Sequence, residues 1–156
     1  MINSGIAIAV VIFLVSLGAN LVSPSDTKWF IRLRRPRWLT FEPLIPVIWT
    51  VILICGGVSA YFVWEAEMGS FNGWILMAFY LVLEIAIIAY VPMTLQSRNL
   101  TLGVVVGLVG FVLGIFLTLS VWQISRLSAL LLIPYLLWSP IGSYATWAIS
   151  GLNRNR

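Results

Sequence analysis

The chain has 156 residues, 61% of them hydrophobic and 9% charged, with nine Lys and Arg against five Asp and Glu. Its mean hydropathy is +1.03. Ordinary soluble domains are roughly 45–50% apolar and about 25% charged, so the polar surface that a water-facing globule needs is missing, which argues against a soluble enzyme or a nucleic-acid module. There is no His, which removes the commonest general base and metal ligand. The single Cys55 leaves no intramolecular disulfide and no CxxC metal site.

A helix needs about 20 mainly apolar residues to cross the hydrocarbon layer. Cut at its charged and turn-rich points, the chain yields five such stretches: residues 5–22, 43–64, 71–93, 101–122 and 127–150. The expectation is an all-α integral membrane protein, a five-transmembrane-helix bundle forming one domain over residues 1–156, with a long first loop. The first stretch reads as a retained span and not as a signal peptide, because no basic residue precedes Gly5 and no small-x-small cleavage site follows.

The first loop, residues 23–42, holds Trp29, Phe30, Trp38 and Phe41 among its arginines. Disordered segments are poor in aromatics, so this loop is expected to fold against the end of the bundle. Eight of the nine basic residues (Lys28, Arg32, Arg34, Arg35, Arg37, Arg98, Arg154 and Arg156) fall on the side shared by loop 1, the third loop and the C-terminus, leaving Arg126 alone on the other. The positive-inside rule then makes that side cytoplasmic and the N-terminus external. The basic residues are juxtamembrane and suit lipid headgroups, not nucleic acid.

Within the third stretch Glu84 stands alone as an ionisable group at mid-span. Such groups are costly in lipid and point by default to function; the structural alternative is a protonated carboxyl bonded to a neighbouring helix. The fourth stretch carries Gly103, Gly107, Gly110 and Gly114, two GxxxG spacings that let helix backbones approach closely, within the bundle or between protomers. Gly56 and Ala60 form a second small pair.

The run Trp29-Phe30-Ile31-Arg32-Leu33-Arg34-Arg35-Pro36-Arg37-Trp38, with Trp49 eleven residues beyond Trp38 and Tyr61-Phe62-Val63-Trp64 after it, resembles the TspO/MBR family, the tryptophan-rich sensory and translocator proteins. Leu131-Leu132-Ile133-Pro134-Tyr135-Leu136-Leu137-Trp138 resembles a second motif of that family. The Trp138-Ser139-Pro140-Ile141-Gly142 wording is similar to cyanobacterial and plant members. Four departures stand out. Thr40-Phe41 replaces the usual double Pro, and Leu53 replaces a Tyr. Leu83, Ile87 and Tyr90 replace Gln, Asn and Trp, and Ala145-Thr146 replaces a Leu-Asn pair. No sterol-recognition pattern follows Tyr144.

The resemblance implies a receptor or carrier for tetrapyrroles, haem or protoporphyrin, linked to stress or light, in a bacterial, cyanobacterial-type cell membrane. It implies a homodimer and no obligatory cofactor or metal, and at most a weak light-dependent porphyrin breakdown. The ligand-binding residues it suggests are Trp38, Trp49, Tyr61, Tyr135 and Trp138 for stacking, with Arg32 and Arg35 for the propionates. With no His, haem iron would be left to Cys55, a Tyr or a Met, or to no protein ligand at all. Trp64, Trp74, Trp122 and Trp147 read as interfacial anchors. The competing expectation is a proton-coupled exporter of small hydrophobic cations that uses Glu84; five spans and the lack of an inverted repeat tell against it.

Overall fold

The computed structural model describes residues 4–20 and 22–154, and every regular element among them is helical. Six α-helices follow in order: α1 (Ser4–Ser16), α2 (Pro24–Ile31), α3 (Ile45–Ala66), α4 (Phe71–Gln96), α5 (Leu100–Trp122) and α6 (Arg126–Leu152). Short 3-10 turns, Leu17–Asn20 and Glu42–Leu44, follow α1 and precede α3. Four helices, α3 to α6, are long and apolar enough to cross a membrane, and α1 is a shorter apolar helix. The stretch expected at 5–22 therefore differs: thirteen α-helical residues lead into a tighter four-residue turn. At 1.5 and 2.0 Å per residue, the two together reach about 28 Å.

The helix starts are written locally. Ser23, Ser70, Asn99 and Ser125 each sit outside the helix and accept a backbone N–H from the first turn of α2, α4, α5 and α6, satisfying a donor that the helix itself leaves unpaired. Pro24 and Pro46 occupy first-turn positions, where the missing N–H costs nothing. Between α4 and α5 the chain reverses through Arg98, held at φ +50°. Its guanidinium reaches Asp26 at 3.1 Å, tying the start of α2 to this turn.

Packing joins the helices in a ring: α1 against α3, α3 against α6, α6 against α5, α5 against α4, and α4 back against α1. The glycines of α5 set its tightest joints, and they serve within the chain. A Cβ on Gly103 would lie 2.5 Å from Thr94 Oγ1 of α4. On Gly107 it would collide with Ser143 of α6, and on Gly110 it would lie 2.7 Å from the Tyr135 hydroxyl. The α3–α4 pair, although consecutive, touches far more sparsely than α5 and α6 do. Well inside both helices a polar chain joins them and continues to α6. Ser59 Oγ donates to the Ser128 carbonyl at 2.8 Å, so the Tyr80 hydroxyl must be the donor in its 2.6 Å contact with Ser59 Oγ.

Loop 1 folds over one end of the ring. Leu39 is buried with Leu100, Ala145 and Ile149, and Trp29, Phe30, Leu33 and Phe41 pack against that group. Asn153, at the end of α6, receives the Arg34 N–H at 3.0 Å and donates to the Arg34 carbonyl at 3.1 Å.

Candidate functional site

Where α1, α3, α4 and α6 meet, the helices line a partly open cavity of about 600 Å³. Its walls follow helical spacing, as one face of each helix must. From α3 come Ile52, Gly56, Ala60 and Trp64; from α4 come Trp74, Met77, Tyr80, Leu81, Glu84 and Ile87. Small side chains leave the space open, since a Cβ on Gly56 would meet nothing within 4 Å. Ala7, Ile8 and Ile12 of α1 cover one side, and Leu131, Leu132 and Tyr135 of α6 close the opposite side.

The cavity reaches the helix ends remote from loop 1. There Trp64 and Trp74 meet edge to face, centroids 4.9 Å apart, and Ser4 Oγ donates to Glu65 Oε1 at 2.6 Å, fixing α1 to α3. Trp64 and Trp74 thus line the cavity as well as sitting near span ends. Trp122 and Trp147 are exposed at 45% and 61%, as lipid- or interface-facing residues are.

Glu84 is the one charged side chain on this wall, and its Oε1 is buried without a hydrogen-bond partner among the described residues. It lies twelve residues before the end of α4, about 18 Å along the axis, so the carboxyl is held near the helix midpoint. Tyr80, one turn away on the same face, spends its proton on Ser59.

The residues proposed from sequence divide between this cavity and the loop-1 end. Tyr135 is buried and lines the cavity, with Trp49 behind it, ring centroids 6.5 Å apart. Trp138 is buried one turn further along α6. Phe41 of loop 1 packs against it in a T-shaped arrangement, ring centroids 6.1 Å apart, so a loop residue shares the space beside this tryptophan. Trp38 stacks on Tyr144 at 5.6 Å. Tyr61, toward the far end of α3, contacts Phe62 and is not part of the cavity wall.

Arg35 is committed to loop 1 itself. It pairs with both carboxylate oxygens of Glu42 at 3.0 and 3.1 Å, donates to the Phe30 and Leu33 carbonyls, and lies 4.6 Å from the centre of the Phe30 ring. The Arg32 side chain is exposed, and its backbone N–H closes α2. Neither arginine reaches the cavity, and neither does Cys55; Met77 is the sulfur on its wall.

Two of the departures from the family pattern meet in space. Tyr90 of α4 hydrogen-bonds to Thr146 of α6, whose own hydroxyl donates to the Gly142 carbonyl at 3.0 Å. Phe41, a third, fills the loop-1 end. Each of these residues is uninformative alone in the sequence; the signal that joins Tyr90 to Thr146 is pairwise.

The profile of the TspO/MBR family matches residues 6–152. The chain belongs to the TspO/MBR family. With its long apolar helices, it is a multi-pass membrane protein. It is 27% identical to the uncharacterized membrane protein YtaB of Bacillus subtilis, over 97% of each chain. It is likewise 27% identical to the tryptophan-rich protein TspO of Bacillus cereus, over 93% of this chain and 96% of the relative. Protein CrtK of Rhodobacter capsulatus is 27% identical over 87% of this chain and 85% of its own length.

Proposed function

We propose that this TspO/MBR protein is a membrane receptor or carrier for tetrapyrroles, haem or protoporphyrin, which it takes up in the cavity between α1, α3, α4 and α6. The observation that carries the reading is that cavity: about 600 Å³, apolar-walled and flanked by Trp64, Trp74, Tyr80 and Tyr135. Ligand pockets generally span about 300–1,000 Å³ and are lined by apolar and aromatic groups with a few polar ones. A flat apolar disc suits such walls. Its carboxylates do not suit Glu84, so the disc is seated with its acidic edge turned away from that residue and toward water. Aromatic faces each add about 0.5–1.5 kcal/mol beyond area burial. Met77 is the wall residue whose sulfur could approach a bound iron, because the Tyr135 hydroxyl is turned to Gly110 of α5.

The proposed topology has α1 and α3 to α6 all crossing, the N-terminus external, and loop 1 and the C-terminus in the cytoplasm of a bacterial, cyanobacterial-type cell. The eight-to-one division of basic residues supports it. A homodimer would use a surface other than the α5 glycine stripe, which is already filled by α4 and α6.

Titration of the detergent-solubilised protein with haem and protoporphyrin tests the reading. Tryptophan fluorescence should be quenched at micromolar ligand with a shifted Soret band, and Gly56→Leu, which fills the cavity, should weaken the response at least tenfold. Loss on Trp138→Ala with Gly56→Leu unaffected would move the seat to the loop-1 end. Folded protein that gives no quenching at all would refute tetrapyrrole binding.

A further inference from the structure

The cavity holds a carboxyl group that the fold leaves unanswered. Glu84 Oε1 is buried and unpaired, no cationic side chain lines the cavity among the described residues, and the nearest hydroxyl on its own helix face is engaged elsewhere. An unpaired charge in such surroundings is costly, and a charge-assisted hydrogen bond there is correspondingly strong. Natural chains keep ionisable groups inside a membrane when something pairs with them. Here no described residue supplies a partner, the space beside the carboxyl is open, and its walls are apolar and aromatic. A cation carried on an apolar body would answer both the carboxyl and the walls.

We propose that the cavity also seats a lipophilic amine, a molecule with one protonated nitrogen on an aromatic or aliphatic frame, with Glu84 as its counter-ion. The nitrogen donates to Oε1, and the frame lies against Tyr80, Tyr135 and the open face at Gly56. Tyrosine and tryptophan rings add attraction for a cation within about 6 Å of their centroids. The inference rests on the same cavity as the tetrapyrrole reading but concerns a different ligand class, and it asserts binding, not transport.

The test uses two probes of one ring system, 9-aminoacridine, which is cationic at pH 8, and acridine, which is neutral there. Binding is measured by fluorescence to the full-length protein in nanodiscs of uncharged phosphatidylcholine. The wild type should prefer 9-aminoacridine at least tenfold. Glu84→Gln should abolish that preference by weakening the cation alone, Glu84→Asp should retain part of it, and Gly56→Leu should weaken both probes. Because Glu84→Asp keeps the charge and Gly56→Leu keeps the carboxyl, misfolding of the Gln variant would not remove the test. Equal wild-type affinity for the probes, or tighter binding of acridine, would overturn the proposal and make Glu84 a neutral donor. Undiminished preference in Glu84→Gln would overturn it too. Wild-type protein that binds protoporphyrin but does not discriminate between the probes sinks only the amine proposal. Preference for 9-aminoacridine without any porphyrin response sinks only the tetrapyrrole reading.

Discussion

Replacing Gly114 by Ala isolates what holds α5 and α6 together. In a helix interior the change is intrinsically favourable by about 0.8–1.0 kcal/mol. Against that, the new Cβ would lie 2.5 Å from Tyr135 Cε1, 2.9 Å from Cδ1 and 3.2 Å from Leu136 Cδ2. The Tyr135 ring is 5% exposed, is flanked by Trp49, and has its hydroxyl against Gly110, so it can yield only toward the cavity. Overpacking of this kind costs about 1–3 kcal/mol. Gly56→Ala supplies the reference, since it carries the same intrinsic gain and its Cβ meets nothing within 4 Å. The difference in stability between the two variants should therefore be about 1–3 kcal/mol in favour of Gly56→Ala. Reversible unfolding in mixed micelles, followed by far-ultraviolet circular dichroism, measures it. Equal stabilities would refute the packing argument. A change confined to oligomeric state would show instead that the glycine stripe faces a second protomer.

The Tyr90–Thr146 bond should appear as a coupling of about 0.6 kcal/mol, and no more than about 1.7, in a cycle of Tyr90→Phe, Thr146→Val and the double variant, in line with interhelical hydrogen bonds in membranes; strictly additive effects on unfolding would dismiss it. Asp26 gives a pH signature. The Ser23 hydroxyl lowers its pKa, partial burial pushes it back up, and the Arg98 guanidinium lowers it again, leaving it below the ordinary value of 3.8. The tether of α2 to the α4–α5 turn is thus complete above that ordinary value and is lost as pH falls through the lowered native one. Amide hydrogen exchange at the start of α2, corrected for its intrinsic pH dependence, should accelerate below about pH 4 in the wild type and show no such step in Asp26→Asn.

The helices could be read from sequence because lipid imposes a length and excludes charge: Asn99 and Ser125 begin α5 and α6 where the apolar runs begin. Which face of each helix meets its neighbours could not. A helix that is apolar all round gives no stripe to read, so the glycines of α5 showed close approach without showing to what. Glu84 was legible as an anomaly from its charge alone. The cavity around it was half-legible, in the small residues Gly56 and Ala60 at helical spacing, but its far walls come from α1 and α6, more than forty residues away on either side. Loop 1 gave its aromatic and basic character correctly but not its pairings. Arg35 looked free for a ligand because Glu42 lies beyond Pro36, in a separate turn that the fold brings back.

The position of the cavity follows from these same contacts. The glycines of α5 draw α4 and α6 inward, and Phe41 closes the loop-1 end against Trp138. The unfilled volume is left at the junction where α3 and α4 diverge, with α1 as its cover. That cover contributes no buried side chain. Between helices in lipid, packing and hydrogen bonds supply most of the adhesion, so the wall with least to lose on moving is α1. It is held at its start by Ser4 on Glu65 and along its length by Ile12 against Gly57. A bulky residue at position 57 would push α1 outward and should ease entry, whereas filling position 56 would close the seat itself. Two adjacent glycines thereby separate access from binding.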